Sequence, residues 1–183
     1  QQILACVLLK KILNARINYE KGREGEKLEY PVFVIVEEAH RFASKDSRSY
    51  GVLKTILAEG RKFGIGVCLI SQRPSKIDSD ILSQCMTQII MRIVNPADQE
   101  NIKNSIESIG RDMIEELPGL TKGQALVAGV SINAPVLIRV RDRLTRHGGM
   151  SKDAPKEWIK WRSLSIEDKT VIRAKQGRLF WDE

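Results

Sequence analysis

No apolar stretch of this chain approaches the roughly 20 residues needed to cross a bilayer. ILACVLL at Ile3–Leu9 is short, and Lys10 and Lys11 follow it. The opening residues have an amphipathic helical pattern without a small-residue cleavage site, so a secretory signal is not expected there. The three cysteines, Cys6, Cys68 and Cys85, are odd in number and widely scattered. None forms a CxxC pair, and no Cys/His cluster has metal-ligand spacing, which excludes a disulfide framework and a structural zinc site. They read as small buried hydrophobes in a reducing, cytoplasmic setting. Internal repeats and low-complexity tracts are also missing.

What is present suits one globular core with an appended tail. The chain has 183 residues, 42% of them hydrophobic and 29% charged. Its formal net charge of +7 fits a polyanionic partner. A basic, solvated face produces the same balance, so charge alone does not identify that partner.

Apolar positions predict a helix from Gln1 to about Asn18, then a charged, glycine-containing loop over Lys21–Glu29. PVFVIVEEAH, Pro31–His40, is the most informative segment. Its five-residue apolar run suits a strand buried on both faces, as at the centre of a parallel sheet. Alternation along the strand predicts that Glu37 and Glu38 diverge at its C-terminal edge, where open α/β sheets bind ligands. One carboxylate there can help hold a hydrated Mg²⁺ while the other polarises a water, the arrangement of a Walker B strand. The bland alternative is that both acids begin a solvated loop.

Ser47 or Ser49 is expected to cap a helix running to about Phe63, broken by Gly64 and Gly66. A second strand follows at Val67–Ser71, then the turn QRPS. Asp78 or Ser79 caps a short helix to Cys85, and a third strand spans about Gln88 to Val94. Asn95-Pro96 signals the start of another helix, to about Ser108. A short helix covers Gly110–Leu117, and 124–130 with 135–140 predicts a hairpin. Beyond Gly148-Gly149 the composition changes: 151–183 carries Trp158, Trp161 and Trp181 and many charges, but no core-sized apolar face.

Several polar residues stand where chemistry is plausible. Arg61, near the end of the 49–63 helix and on one strip with Lys54, either complements the helix dipole or reaches a neighbouring subunit's γ-phosphate as an arginine finger. Gln72, at the tip of the strand after the Walker B strand, is either a turn residue or a group contacting the attacking water and the γ-phosphate. Arg92, placed in the third strand's second half, needs a carboxylate, a phosphate or solvent, and is a second finger candidate. Lys45 and Arg48 in the SKDSRS loop are candidate DNA phosphate contacts, or solvated charges. The basic run Arg139–His147 is a solvated strand end, or a subunit or DNA contact. His40 is assigned a capping or packing role. No G-x-x-x-x-G-K-[ST] occurs, so these residues lack the backbone cradle and lysine for phosphates. On their own they are not expected to turn over ATP.

Taken together, VFVIVEEAHRF, ILAEGRKFGIGVCLISQRPSKID, ILSQC, RIVNPADQ and LPGLTKGQALVAGV resemble the C-terminal half of the HerA helicase/translocase family, within the HerA–FtsK group. The resemblance covers about 1–148. It implies an α/β, RecA-like P-loop NTPase core, represented by a mostly parallel sheet with flanking helices and a terminal β-hairpin. A helical extension over 149–183 would be a brace on a neighbouring subunit, with its tryptophans as anchors. It also implies a hexameric ring that pumps double-stranded DNA with ATP and Mg²⁺, acting with a NurA nuclease in archaeal end resection during double-strand break repair. Under this resemblance Glu37 is the magnesium-side acid, Glu38 the catalytic glutamate, Arg61 the trans-acting finger and Gln72 the sensor. The family's β-barrel and Walker A segment have no counterpart in these residues. Two other readings are a DEAH-type helicase, suggested by EEAH but at odds with SQRP where an S-A-T-like motif is expected, and a non-enzymatic assembly module.

Overall fold

Leu9, Leu13 and Arg16 lie at helical spacing and form the buried stripe of α1 (Gln2–Glu20). In the structure, a computed structural model, residues 1–106, 109–145, 148 and 153–171 are described. The chain divides into two units, Gln1–Arg141 and Asp142–Glu183.

In the first unit, β1 (Val32–Val36) and β2 (Ile65–Leu69) pair in parallel, with Val32 opposite Ile65 and Val36 opposite Leu69. The crossover between them contains α2 (Tyr50–Glu59) and a 3₁₀ turn at Gly60–Phe63. Val52, Leu53 and Ile56 on α2 meet Leu9 and Leu13 of α1 in one hydrophobic cluster, joined by Ile65, Ile77 and Ile81. Each such fully buried aliphatic side chain contributes roughly 1.5–3 kcal/mol.

The expectation that β1 is buried on both faces is not met. Val34 and Val36 pack on the core, while Phe33 is 67% and Ile35 62% exposed. A continuous apolar run reports two apolar faces, and only one is covered by these residues. Gly66 also differs from expectation. It lies within β2, and a Cβ there would stand 2.5 Å from Phe33 Cδ2, whose ring crosses it. The α-helix ends at Glu59, earlier than expected, and the 3₁₀ turn that continues it to Phe63 is closed by Gly64 at φ 67°.

Asp78 accepts from the Asp80 N–H at 3.1 Å and starts α3 (Ser79–Gln84). Asn95 likewise accepts from the Ala97 N–H at 2.9 Å and opens α4 (Pro96–Ser105). Between these helices lies β3 (Thr87–Ile90), and after them α5 (Arg111–Glu116). Two further strands, β4 (Gln124–Gly129) and β5 (Val136–Arg139), form the expected hairpin and extend β3 into a three-stranded antiparallel sheet. The parallel part is therefore the β1–β2 pair. β3 ends earlier than expected because its ladder runs out. Ile90 pairs with Leu126, so in this register Val94 would need Lys122 as partner, and Lys122 lies in the turn before β4. Arg92 consequently falls outside the strand and is exposed. A second cluster, with Ile90, Ile102, Leu117 and Leu126, fills this region.

Within the second unit, α6 (Ala154–Ser163) is capped by Asp153, which accepts from the Lys156 N–H at 3.3 Å. Residues 166–171 are helical as well. Trp158 is 68% exposed and Trp161 partly buried. Trp181, Gly149, and Arg146 and His147 of the basic run lie outside the described residues. Among the described residues no helix is long and apolar enough to cross a membrane.

Candidate functional site

The strand β1 stops at Val36, one residue before the acid pair. Glu37 and Glu38 are not separated by strand alternation, as expected, but by a left-handed turn: Glu38 has φ 51° and ψ 41°. Among the described residues it is the single non-glycine at positive φ. That conformation costs roughly 1–2 kcal/mol for an L-residue, and such strain clusters at functional sites. The surroundings enforce it. The Ala39 N–H donates to Ile70 O at 2.9 Å, the Ile70 N–H to Val36 O at 2.9 Å, and the Arg41 N–H to Glu38 O at 2.9 Å. Ala39, fully buried, anchors the one-turn helix that follows.

These backbone bonds bring the end of β1 against the end of β2, where Ser71, Gln72 and Arg73 follow. Glu37, Glu38 and Gln72 thus share the C-terminal edge of the parallel pair, and all three are exposed. Among the described residues no hydrogen bond or ion pair reaches Glu37 or Gln72. The Gln72 tip is nevertheless held on both sides. The Arg73 N–H donates to Ser71 Oγ at 3.1 Å, and the Ser75 N–H donates to Oδ1 of buried Asp98 at 2.9 Å.

Arg61 is not brought to this edge. It lies in the turn entering β2, while Gln72 follows its exit, so a five-residue strand separates them, about 17 Å at the usual rise. Arg61 is exposed and borders a shallow hollow with Pro31, Phe33 and Gly66. Arg92 belongs to the antiparallel sheet's surroundings. Lys45, although 71% exposed at its side chain, sits 3.5 Å from Asp78. Arg48 is exposed beside Gln2 and Arg41. Its loop is a tight turn rather than a solvated tether: buried Ser47 and Ser49 both donate to the Phe42 carbonyl, Ser49 at 2.9 Å. Those hydroxyls therefore do not cap α2, although Ser49 occupies the N-cap position. Lys54, expected on the Arg61 strip, bonds Asp80 at 2.7 Å, and that bond raises its pKa.

Sequence reasoning missed Arg16, Asp98 and Ser71, and it gave His40 only a passive role. Arg16 continues the Leu9–Leu13 spacing, and that position was the available signal. Asp98, in the first turn of a helix, looks like a simple dipole partner until the fold sets Ser75 in front of it. His40 places Nδ1 3.2 Å from Ser71 Oγ and Nε2 3.6 Å from Glu38 Oε2.

A magnesium ion usually takes one or two carboxylates alongside waters and substrate phosphates. The exposed Glu37 carboxylate, without a protein partner among the described residues, suits one such contact. No group of three potential metal ligands occurs among those residues, so they form no metal cage of their own.

No family model matches the chain. Its relatives are informative. A probable helicase of Methanocaldococcus jannaschii is 44% identical over 137 residues, covering 73% of this chain and 26% of the relative. The DNA double-strand break repair helicase HerA of Pyrococcus furiosus is 46% identical over 115 residues, 62% of this chain and 21% of that protein. HerA of Sulfurisphaera tokodaii is 34% identical over 166 residues, 90% of this chain and 33% of that protein. This chain belongs to the HerA family.

The HerA chain spans between 21 and 33% of the length of these curated relatives. Its fold is that of the P-loop NTPases. The genome packaging NTPase B204 of Sulfolobus turreted icosahedral virus 2, in complex with AMPPCP, superposes with a TM-score of 0.59 at 15% identity, over 75% of this chain and 63% of that one. The DNA-packaging ATPase B204 of Sulfolobus Turreted Icosahedral Virus gives 0.55 at 18% identity, over 74% and 62%. At such identities the likeness is one of fold.

Proposed function

We propose that this HerA chain is the Walker B-bearing part of an ATP-driven helicase/translocase that moves on double-stranded DNA during end resection at double-strand breaks. The observation that carries the reading is Glu38, held in a strained left-handed turn at the C-terminal edge of β1, against the tip of β2 that presents Gln72. A carboxylate fixed there accepts the proton of an attacking water, and positioned general bases commonly contribute 10²–10⁴-fold. Gln72 orients that water and registers the γ-phosphate. Glu37 would hold Mg²⁺, and such an ion, bound with ATP, would offset phosphate charge. The phosphate cradle itself must come from outside these 183 residues, which hold no G-x-x-x-x-G-K-[ST].

Arg61, at the other end of β2 from Gln72, does not serve the same phosphate as its own chain's Glu38. It acts on a neighbouring subunit's nucleotide in a hexameric ring, with Arg92 as a second cation facing nucleotide. Lys45 and Arg48 contact DNA phosphates without reading sequence, the 149–183 tail braces the next subunit, and a NurA-type nuclease completes the cytoplasmic machine. Glu38→Gln in the full-length protein tests the central role. It is expected to bind ATP with native affinity and to lose at least a hundredfold in turnover. Native turnover by that variant would overturn the reading.

A further inference from the structure

We infer that His40 is a positioning residue that holds the Glu38 carboxylate and couples it to the β2 tip bearing Gln72. The inference rests on the reading of Glu38 as the base. His40 lies on the one-turn helix Ala39–Arg41, whose first N–H is tied to Ile70 O. Its ring is largely buried, with 17% of the side chain exposed, against 48% for Glu38. It does not cap that turn: the N-cap is Glu38, which makes no side-chain cap bond.

The ring's two nitrogens face two different partners. Ser71 Oγ accepts from the Arg73 N–H at 3.1 Å and lies 3.2 Å from His40 Nδ1, so a serine proton given to Nδ1 satisfies both contacts. In that tautomer, with Nδ1 accepting from Ser71, Nε2 carries the ring N–H. Nε2 faces Glu38 Oε2 at 3.6 Å. That separation exceeds a hydrogen bond, so the acid is free to turn toward a water, and catalytic contacts of this kind shorten when substrate is bound. The chain Arg73–Ser71–His40–Glu38 then links the residues flanking Gln72 to the base. A change at the β2 tip reaches Glu38 through the ring and alters the rate of water activation without altering nucleotide affinity.

The test compares three substitutions at His40 in the full-length protein, with ATP binding and steady-state hydrolysis measured side by side. His40→Ala is expected to lower kcat at least tenfold, with KM and nucleotide affinity unchanged. His40→Gln, whose amide nitrogen reaches the position of Nε2, is expected to keep most of kcat. His40→Asn, whose amide stops near Nδ1, is expected to behave like the alanine variant. A native kcat for His40→Ala, or equal losses in Gln and Asn, would overturn the inference. If alanine prevents folding, the Gln–Asn contrast decides. Glu38→Gln is run in parallel. If it hydrolyses ATP normally, the base assignment fails. If it is dead while His40→Ala is native, only the coupling fails.

Discussion

The Arg16 Nε donates to the Phe63 carbonyl at 2.6 Å, joining α1 to the turn that carries Arg61. The same guanidinium donates through Nη1 to the carbonyls of Leu28 and Glu29, each at 2.6 Å, and through Nη2 to Glu20. Arg16 is 1% exposed, so three backbone carbonyls depend on one planar fork. Arg16→Ala is expected to destabilise the protein by about 2–3 kcal/mol, because it removes a buried side chain and takes the donor from three part-buried carbonyls, each of which costs on the order of 1–3 kcal/mol where water does not replace it. Arg16→Lys restores the charge without the fork and recovers only part of the loss. Denaturant midpoints of the two variants check this ordering.

Two glycines are expected to respond in opposite directions to alanine. Gly129 has φ +111°, and a Cβ there would lie 2.1 Å from Met86 O. Gly129→Ala is therefore destabilising by more than about 1 kcal/mol. Gly51 lies in α2 with nothing within 4 Å of an added Cβ. Gly51→Ala stabilises by about 0.5–1 kcal/mol through helix propensity. Thermal melts of the two variants would separate them by sign.

Burial pushes the Cys85 thiol up to about 11, with a smaller contribution from Cys68. At pH 8 its thiolate fraction is on the order of 10⁻³, so alkylation should run at least a hundredfold slower than for an ordinary exposed thiol. The rate should climb about tenfold per pH unit until that pKa is reached. Site-resolved mass spectrometry after iodoacetamide treatment measures both quantities.

The Lys54 hydrogen bond holds the Asp80 carboxyl below its ordinary pKa. A depressed carboxylate pKa means the pair's contribution is present above the unfolded-state value, about 4, and is lost as pH falls through the folded-state value. Both groups are exposed, so the contribution is small and salt-sensitive. The melting temperatures of native protein and Asp80→Asn should differ slightly at pH 7 and converge below pH 4.

If Arg61 acts across a subunit interface, Arg61→Ala and Glu38→Gln subunits should complement each other. Each full-length variant is inactive alone, yet a mixed ring contains interfaces with a native Glu38 from one subunit and a native Arg61 from its neighbour. Partial recovery of ATP hydrolysis after mixing is expected. Activity that stays at the level of the separate variants would place Arg61 in the site of its own chain, or outside catalysis.

The local elements were legible because their signals are short-range. Asn95-Pro96 and Asp78 place helix starts by backbone capping, VFVIV ends where charge begins, and 124–140 reads as a hairpin. The position of the acid pair was legible because the apolar run stops at two adjacent carboxylates, which marks the strand's C-terminal end. Its geometry was not. Left-handed Glu38 depends on the bonds of Ala39 and Arg41 and on the position of Ile70, residues that no periodicity connects.

Residue order alone determined the HerA family, the α/β character and the placement of Glu37, Glu38 and Gln72 each at a strand end, since each follows from local pattern and motif. Tertiary structure decided which apolar face is covered, where β3 ends, and that Arg61 and Gln72 occupy opposite ends of β2. It also decided that His40 stands between Glu38 and Ser71. Contacts between residues some thirty positions apart arise from chain crossover and strand register, and those are set by the packing of the whole unit.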